Sequence, residues 1–85
     1  MDESKQIKRL KVDDPATYRI CVQGYLEDVW SDRFADMTIT ILDREGKAPE
    51  SILTGKVRDQ SELVGVLNGL YGLRVPILTV ELIQE

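Results

Sequence analysis

The sequence contains no histidine and a single cysteine, Cys21. Without histidine, a serine or cysteine triad that relies on an imidazole base cannot be built. A lone cysteine forms no disulfide within the chain, and the sequence shows no secretory signal. Together these absences favour a reducing compartment, and we expect a cytoplasmic protein. No feature of the surrounding sequence activates Cys21, so we expect an ordinary structural or half-exposed thiol.

Long apolar runs and an excess of positive charge are missing as well. No run approaches the ~20 apolar residues that cross a bilayer, so we expect no contact with a membrane. The chain has 11 Lys and Arg against 15 Asp and Glu, a net charge of −4. Nucleic-acid binding depends on basic side chains that neutralise phosphates, and the only basic cluster, within residues 5–11, has acidic residues on both sides. We therefore expect no nucleic-acid partner.

The sequence also lacks the usual signatures of cofactor and metal sites. Neither GxGxxG nor GxxxxGK occurs, so no phosphate-binding loop is predicted. Asp28, Asp32 and Asp36 are spaced by four and could line one side of a helix as oxygen ligands for a hard cation. Their spacing matches no calcium loop, and a solvated acidic face is the simpler interpretation. With no paired acid, base or nucleophile, we expect no enzymatic activity, no metal and no cofactor.

What remains is an ordinary small globular chain of 85 residues, with 42% hydrophobic and 31% charged residues. Residues 1–16 are polar, of mixed charge, and end in Asp13-Asp14-Pro15, which predicts a flexible leader. Residues 17–85 are long enough for one domain. A domain of this size buries only about 60–65% of its unfolded surface. Self-association is one of the few ways left to reinforce it, because disulfides are excluded.

Alternation of apolar and polar residues predicts four strands, over residues 18–26, 37–43, 51–58 and 77–83. Tyr25 falls on the outward side of the first strand. Trp30 and Phe34 are four residues apart in a segment without alternation. We interpret residues 27–36 as a short helical turn that places both aromatic rings over the end of the sheet.

One helix is predicted between the last two strands. Asp59 and Glu62 have the spacing of a capping box, in which each side chain accepts a hydrogen bond from the other end of the first turn. Gly72 and Pro76 mark the end of the helix. A broad apolar stripe follows the cap, formed by Leu63, Val64, Val66, Leu67, Leu70 and Tyr71.

The predicted order is therefore β-β-β-α-β, an α+β fold. Short connections favour an antiparallel three-strand meander. The helix then packs on one sheet face and returns the chain as a fourth strand, beside the first and parallel to it. The other face of the sheet stays uncovered.

Glycines within the helix form a second pattern. Gly65 and Gly69 lie four residues apart, on the side away from the apolar stripe, with Asn68 beside them. An interior glycine costs roughly 0.5–1 kcal/mol of helix stability relative to alanine. We hypothesise that a partner helix, a second copy or a ligand approaches the backbone there. The alternative is a weak helix that ends near Gly69.

Residues 52–80 read ILTGKVRDQSELVGVLNGLYGLRVPILTV. This segment resembles a family of short uncharacterised prokaryotic proteins with the pattern LTG-x-V-x-DQ-x-x-L-x-G-x-L and a closing strand. The resemblance extends over residues 17–80, includes Trp30 and Phe34, and implies a shared fold without an assigned activity. Asn68, Gly69 and Tyr71 depart from the more basic turn of that family. The matching positions are Leu53, Thr54, Gly55, Val57, Asp59, Gln60, Leu63, Gly65, Leu67, Pro76, Leu78 and Val80.

These features predict a non-enzymatic interaction or regulatory module that self-associates, most simply as a homodimer. Its candidate contact residues are Tyr25, Trp30, Phe34, Gly65, Asn68 and Gly69. A first alternative is a sensor that holds a small molecule between helix and sheet, near Gly24, Gly55 and Gly65. A second is an accessory subunit that contacts a larger enzyme through Asp59 and Gln60, whose simpler role is to cap the helix.

Overall fold

The structure, a computed structural model, describes residues 10–27 and 33–84. It confirms an α+β fold with the element order β-β-β-α-β. The five elements are β1 (Ala16–Gln23), β2 (Thr38–Leu42), β3 (Glu50–Val57), α1 (Gln60–Gly72) and β4 (Ile77–Gln84).

The arrangement of the strands differs from the predicted meander. The four strands form one open sheet in the order β2-β3-β1-β4, and each neighbouring pair is antiparallel. β1 therefore lies between β3 and β4 and does not pair with β2. β4 does lie beside β1 as predicted, but it runs antiparallel to it. Because β3 and β4 both oppose β1, they run parallel to each other, and α1 joins them by crossing over β1.

The connection between β1 and β2 explains the wrong prediction. β1 and β2 are both antiparallel to β3, so they run in the same direction. A chain that continues in the same direction must first return along the sheet, which takes a dozen or more residues. Residues 24–37 provide that length. The described part of this connection carries Phe34 and Met37, both buried in the core, so the segment packs on the sheet instead of forming a tight turn.

The end of β1 is fixed by a buried serine. Ser51 Oγ donates a hydrogen bond to the Gly24 carbonyl (2.8 Å) and accepts one from the Leu26 amide (2.9 Å). Gly24 has a φ of +113°, which turns the chain away from the strand direction. The strand thus ends at Gln23, three residues before the predicted end at Leu26.

The start of β1 also differs from the prediction. The strand begins at Ala16, which is fully buried, rather than at Tyr18. Of the predicted leader, residues 1–9 lie outside the described residues. In the part that follows, Leu10 packs against the core, and the Val12 carbonyl accepts a hydrogen bond from the Gln60 amide (2.8 Å). These contacts attach the approach to β1 to the beginning of α1.

The core lies between one sheet face and α1. Burial of each large apolar side chain contributes about 1.5–3 kcal/mol to the stability of the fold. The helix α1 supplies only three of the buried apolar side chains, those of Leu63, Val66 and Leu70. Val64 and Tyr71, predicted to join the apolar stripe, are 52% and 74% exposed, so the packed face of the helix is narrower than the stripe. In the described part of the chain, no helix has the length and apolar character to cross a membrane. The buried apolar residues are Ala16, Tyr18, Ile20, Val22, Leu26, Phe34, Met37, Leu53, Val57, Leu63, Val66 and Leu70.

Candidate interaction surface

The predicted capping residues cap the helix. Asp59 Oδ1 accepts a hydrogen bond from the Glu62 amide at 2.9 Å. Glu62 reaches back and accepts one from the Arg58 amide at 2.8 Å, and it also forms an ion pair with the Arg58 side chain at 3.3 Å. Hydrogen bonds from the Glu62 amide and the Ser61 hydroxyl stabilise the carboxylate and lower the pKa of Asp59 below its ordinary 3.8.

Gln60 has a structural contact of its own. Its Nε2 donates a hydrogen bond to the Tyr18 hydroxyl at 2.7 Å. Tyr18 is buried on β1, where its neighbour on β4 is Leu82. The side chain of Gln60 therefore joins the start of the helix to the sheet, and both polar residues of the proposed accessory-subunit contact have partners within the chain.

The two interior glycines of the helix have different surroundings. A Cβ on Gly69 would lie 2.8 Å from Cε1 of Phe34, so the aromatic ring packs directly against the helix backbone. A Cβ on Gly65 would meet no atom within 4 Å. The close approach predicted for the glycine pair thus occurs at Gly69, and the group that approaches is a core side chain of the same chain. Gly65 and Asn68 lie on the exposed side of the helix.

The aromatic candidates are also separated by the structure. Phe34 is 1% exposed and belongs to the core, so its predicted place on a contact surface is wrong. Tyr25 is 65% exposed beyond the end of β1, on the outside as predicted. Trp30, with Asp28 and Asp32, lies outside the described residues.

Of the three glycines predicted to lie near a small-molecule ligand, Gly55 is packed tightly against protein, whereas a Cβ on Gly24 would meet only Val75, at 3.9 Å, and one on Gly65 would meet no atom within 4 Å. A Cβ on Gly55 would lie 2.7 Å from Cγ of Met37 and 3.0 Å from its Cα. Gly55 is therefore required for β2 and its preceding residue to approach β3. A separate depression of about 340 Å³ lies at the end of the helix, lined by Tyr71, Arg74, Val75 and Pro76.

The sheet face that α1 does not cover is polar. Directly opposed residues of neighbouring strands share a face, and the register places Arg19 beside Glu81 there. These two side chains form an exposed ion pair at 3.1 Å. Cys21 lies on the same face, and its Sγ donates a hydrogen bond to Glu50 Oε1 at 3.3 Å. Burial and the neighbouring carboxylate raise the pKa of Cys21 above its ordinary 9.0, which disfavours the nucleophilic thiolate.

Most of the exposed large apolar residues in the described part of the chain lie on β4. This strand pairs with β1 along one side, and every one of its eight residues is exposed. The register places Val80 opposite Ile20 and Leu82 opposite Tyr18, so both side chains project from the same sheet face as the core. Five residues of β4 are large, apolar and 38–46% exposed: Ile77, Leu78, Val80, Leu82 and Ile83.

Two exposed apolar residues lie on one flank of α1. Residues advance by about 100° around a helix, which places Val64, Leu67 and Tyr71 on the flank opposite to Gly69, and Val64 and Tyr71 are exposed. We call the exposed apolar surface formed by Leu78, Val80 and Leu82 the β4 strip.

Sequence reasoning missed the β4 strip because alternation alone cannot distinguish a covered strand from an uncovered one. Leu78, Val80 and Leu82 alternate like a core-facing strand, and the register does place Val80 and Leu82 on the core side. α1 and the β1–β2 connection cover β1, β2 and β3 but leave β4 open. One signal was present in the sequence: an apolar stripe that includes both Val64 and Tyr71 is wider than one packed helix face needs.

Comparison with known proteins identifies a family for this chain. The family model described as a domain of unknown function (DUF8691) matches residues 17–81, which include β2, β3 and α1 and most of β1 and β4. No curated protein matches the chain. No solved structure matches it either.

Proposed function

The chain belongs to the DUF8691 family of domains, and from its surfaces we propose that it is a non-enzymatic protein-interaction module that self-associates through the β4 strip. One observation carries this proposal: β4 is an eight-residue edge strand with five exposed large apolar side chains. An edge strand presents unpaired amide and carbonyl groups to any other strand that approaches it.

Apart from the register shifts near its two ends, nothing in the residues of β4 protects its edge. Proteins usually guard an open edge with lysines, an interior proline or a very short strand. β4 contains no lysine, and Pro76 precedes the strand rather than interrupting it. Its single charged residue, Glu81, forms an ion pair with Arg19 of the neighbouring strand. The strand is therefore suited to pair with another strand.

The opposite edge of the sheet differs from β4. β2 has only five residues, and Thr38 and Thr40 are its exposed positions. Its apolar residues Ile39 and Ile41 are partly buried, and Ile39 packs on the core. Because β2 is short and its exposed residues are polar, association at β4 would bury more apolar surface than association at β2.

The chemistry of the described residues supports a binding role over a catalytic one. The hydrogen bond to Glu50 and the raised pKa of Cys21 leave its thiol protonated and poorly nucleophilic. Asp59 and Gln60 are engaged in the helix cap and in the contact with Tyr18. A single unpaired thiol fits a reducing compartment, and we place the protein in the cytoplasm on that ground.

The experiment is size-exclusion chromatography with light scattering on the full chain at several concentrations. We expect the mass to rise from that of a monomer to that of a dimer as the concentration increases. The double variant Leu78→Gln, Leu82→Gln should remain monomeric, because it removes apolar surface from the β4 strip. Val12→Gln is the matched control, since Val12 is 76% exposed and belongs to no strand. A monomer at every concentration for the unmodified chain would refute self-association.

A further inference from the structure

The sequence of β4 is nearly the same in both directions. Residues 77–83 read Ile-Leu-Thr-Val-Glu-Leu-Ile, and only Thr79 and Glu81 break the symmetry about Val80. When two identical strands pair antiparallel, residue i of one strand opposes the residue of the other that lies equally far from the centre. A symmetric strand therefore places each side chain opposite its own kind.

We propose that β4 pairs antiparallel with β4 of a second copy of this chain, across a two-fold axis at Val80. This inference rests on the proposed function and defines its geometry. The two four-stranded sheets then form one continuous sheet of eight strands. Val80 opposes Val80 of the second copy, Leu78 opposes Leu82, and Thr79 opposes Glu81.

The neighbouring registers are less favourable. Facing residues must share a sheet face, so the centre of symmetry can shift only in whole residues along the strand. With Thr79 at the centre, the carboxylate of Glu81 would oppose the apolar side chain of Ile77. With Glu81 at the centre, two carboxylates would oppose each other directly, which destabilises a strand pair. The register at Val80 avoids both contacts and lets the Thr79 hydroxyl donate to the opposing Glu81.

The pairing of β4 with β1 is regular around Val80. Register shifts interrupt that pairing between Thr17 and Tyr18 and between Cys21 and Val22. Between them, residues 79–82 of β4 pair regularly with residues 18–21 of β1, and Leu78 lies at the second shift. The choice of Val80 over Thr79 and Glu81 as the centre therefore rests on the side chains that each register brings together.

Burial gives the energetic reason for a second copy. Leu78, Val80 and Leu82 are each 42–46% exposed, and the register places Val80 and Leu82 on the core side of the sheet. In the proposed pair, the three side chains of one copy lie beside the three of the other and shield each other from water. A two-fold contact uses the same patch on both copies, so it closes as a dimer and leaves no second β4 edge free.

Thiol crosslinking tests the register. In a Cys21→Ser background, Val80→Cys places two thiols opposite each other across the axis, with Cβ atoms about 4.5–5.5 Å apart. Leu82→Cys is the matched control. In the proposed register, residue 82 faces Leu78 of the second copy, and residue 82 of the second copy lies four residues away, roughly 13 Å along the strand. With a short bifunctional thiol reagent, we expect Val80→Cys to crosslink and Leu82→Cys alone to lose that crosslinking. An equal mixture of Leu78→Cys and Leu82→Cys proteins should regain it.

The outcomes separate this inference from the proposed function. Dimers by light scattering in which Leu82→Cys crosslinks with itself, or in which Val80→Cys does not crosslink, would overturn the register while self-association stands. If the unmodified chain and the Cys21→Ser background are monomeric at every concentration, self-association fails and the register fails with it.

Discussion

The ring of Phe34 packs directly on the helix backbone at Gly69, and Cε1 lies 2.8 Å from the position that a Cβ on Gly69 would occupy. This contact ties the end of the β1–β2 connection to α1. The opposite flank of the helix carries Val64 and Tyr71, which are 52% and 74% exposed.

Alanine substitutions at the two helix glycines should have opposite effects on stability. Gly65→Ala should stabilise the protein by about 0.5–1 kcal/mol, because alanine favours the helix and the site is open. Gly69→Ala should destabilise it, because overpacking against the buried Phe34 ring costs typically about 1–3 kcal/mol, more than the gain in helix propensity. Urea unfolding of both variants measures the difference. Equal stabilisation by both substitutions would show that the Phe34 ring does not lie on Gly69.

Loss of the Ser51 hydroxyl should destabilise the end of β1. Ser51→Ala removes the partner of both the Leu26 amide and the Gly24 carbonyl. A buried polar group left without its hydrogen bond costs about 1–3 kcal/mol. Thermal and urea unfolding should show a loss in that range. A neutral Ser51→Ala would contradict the buried bridge.

The helix cap predicts a stability change in acid. The pKa of Asp59 is lowered in the folded protein, so its stabilising effect is present above the unfolded-state pKa and is lost as the pH falls through the folded-state value. Asp59→Asn keeps a capping side chain but does not titrate. The variant should therefore lose less stability than the unmodified chain when the pH falls from neutrality to below 3.8, the ordinary value of this group. Parallel slopes in urea unfolding across that range would argue against a titrating cap.

How much the sequence predicted depends on how local each feature is. The helix with its Asp59–Glu62 cap, and the existence of four strands, follow from periodicity and side-chain chemistry within a few residues. The strand order does not, because it depends on the burial of Phe34 and Met37 in a core whose other members lie far along the chain. The exposure of the β4 strip depends on residues even farther apart in the chain. It results from where α1 crosses the sheet, which no property of residues 77–84 specifies.

A charge at the centre of β4 should abolish association without unfolding the domain. Val80→Lys places two ammonium groups opposite each other at the proposed axis, and an edge lysine opposes strand pairing. Val80 is 42% exposed, so the long side chain can reach water. Thr40→Lys, on the β2 edge, is the matched control and should still dimerise. Sedimentation velocity reports both masses, and a Val80→Lys protein that still dimerises would remove β4 from the interface.

The central claim is that the free edge of β4 receives a second copy, and amide hydrogen exchange at two protein concentrations tests it most directly. Raising the concentration should slow exchange at the amides of residues 79–82 that point away from β1, while the amides of β2 keep their rates. Equal exchange of β4 at both concentrations, or added protection that appears at β2 instead, would contradict the account.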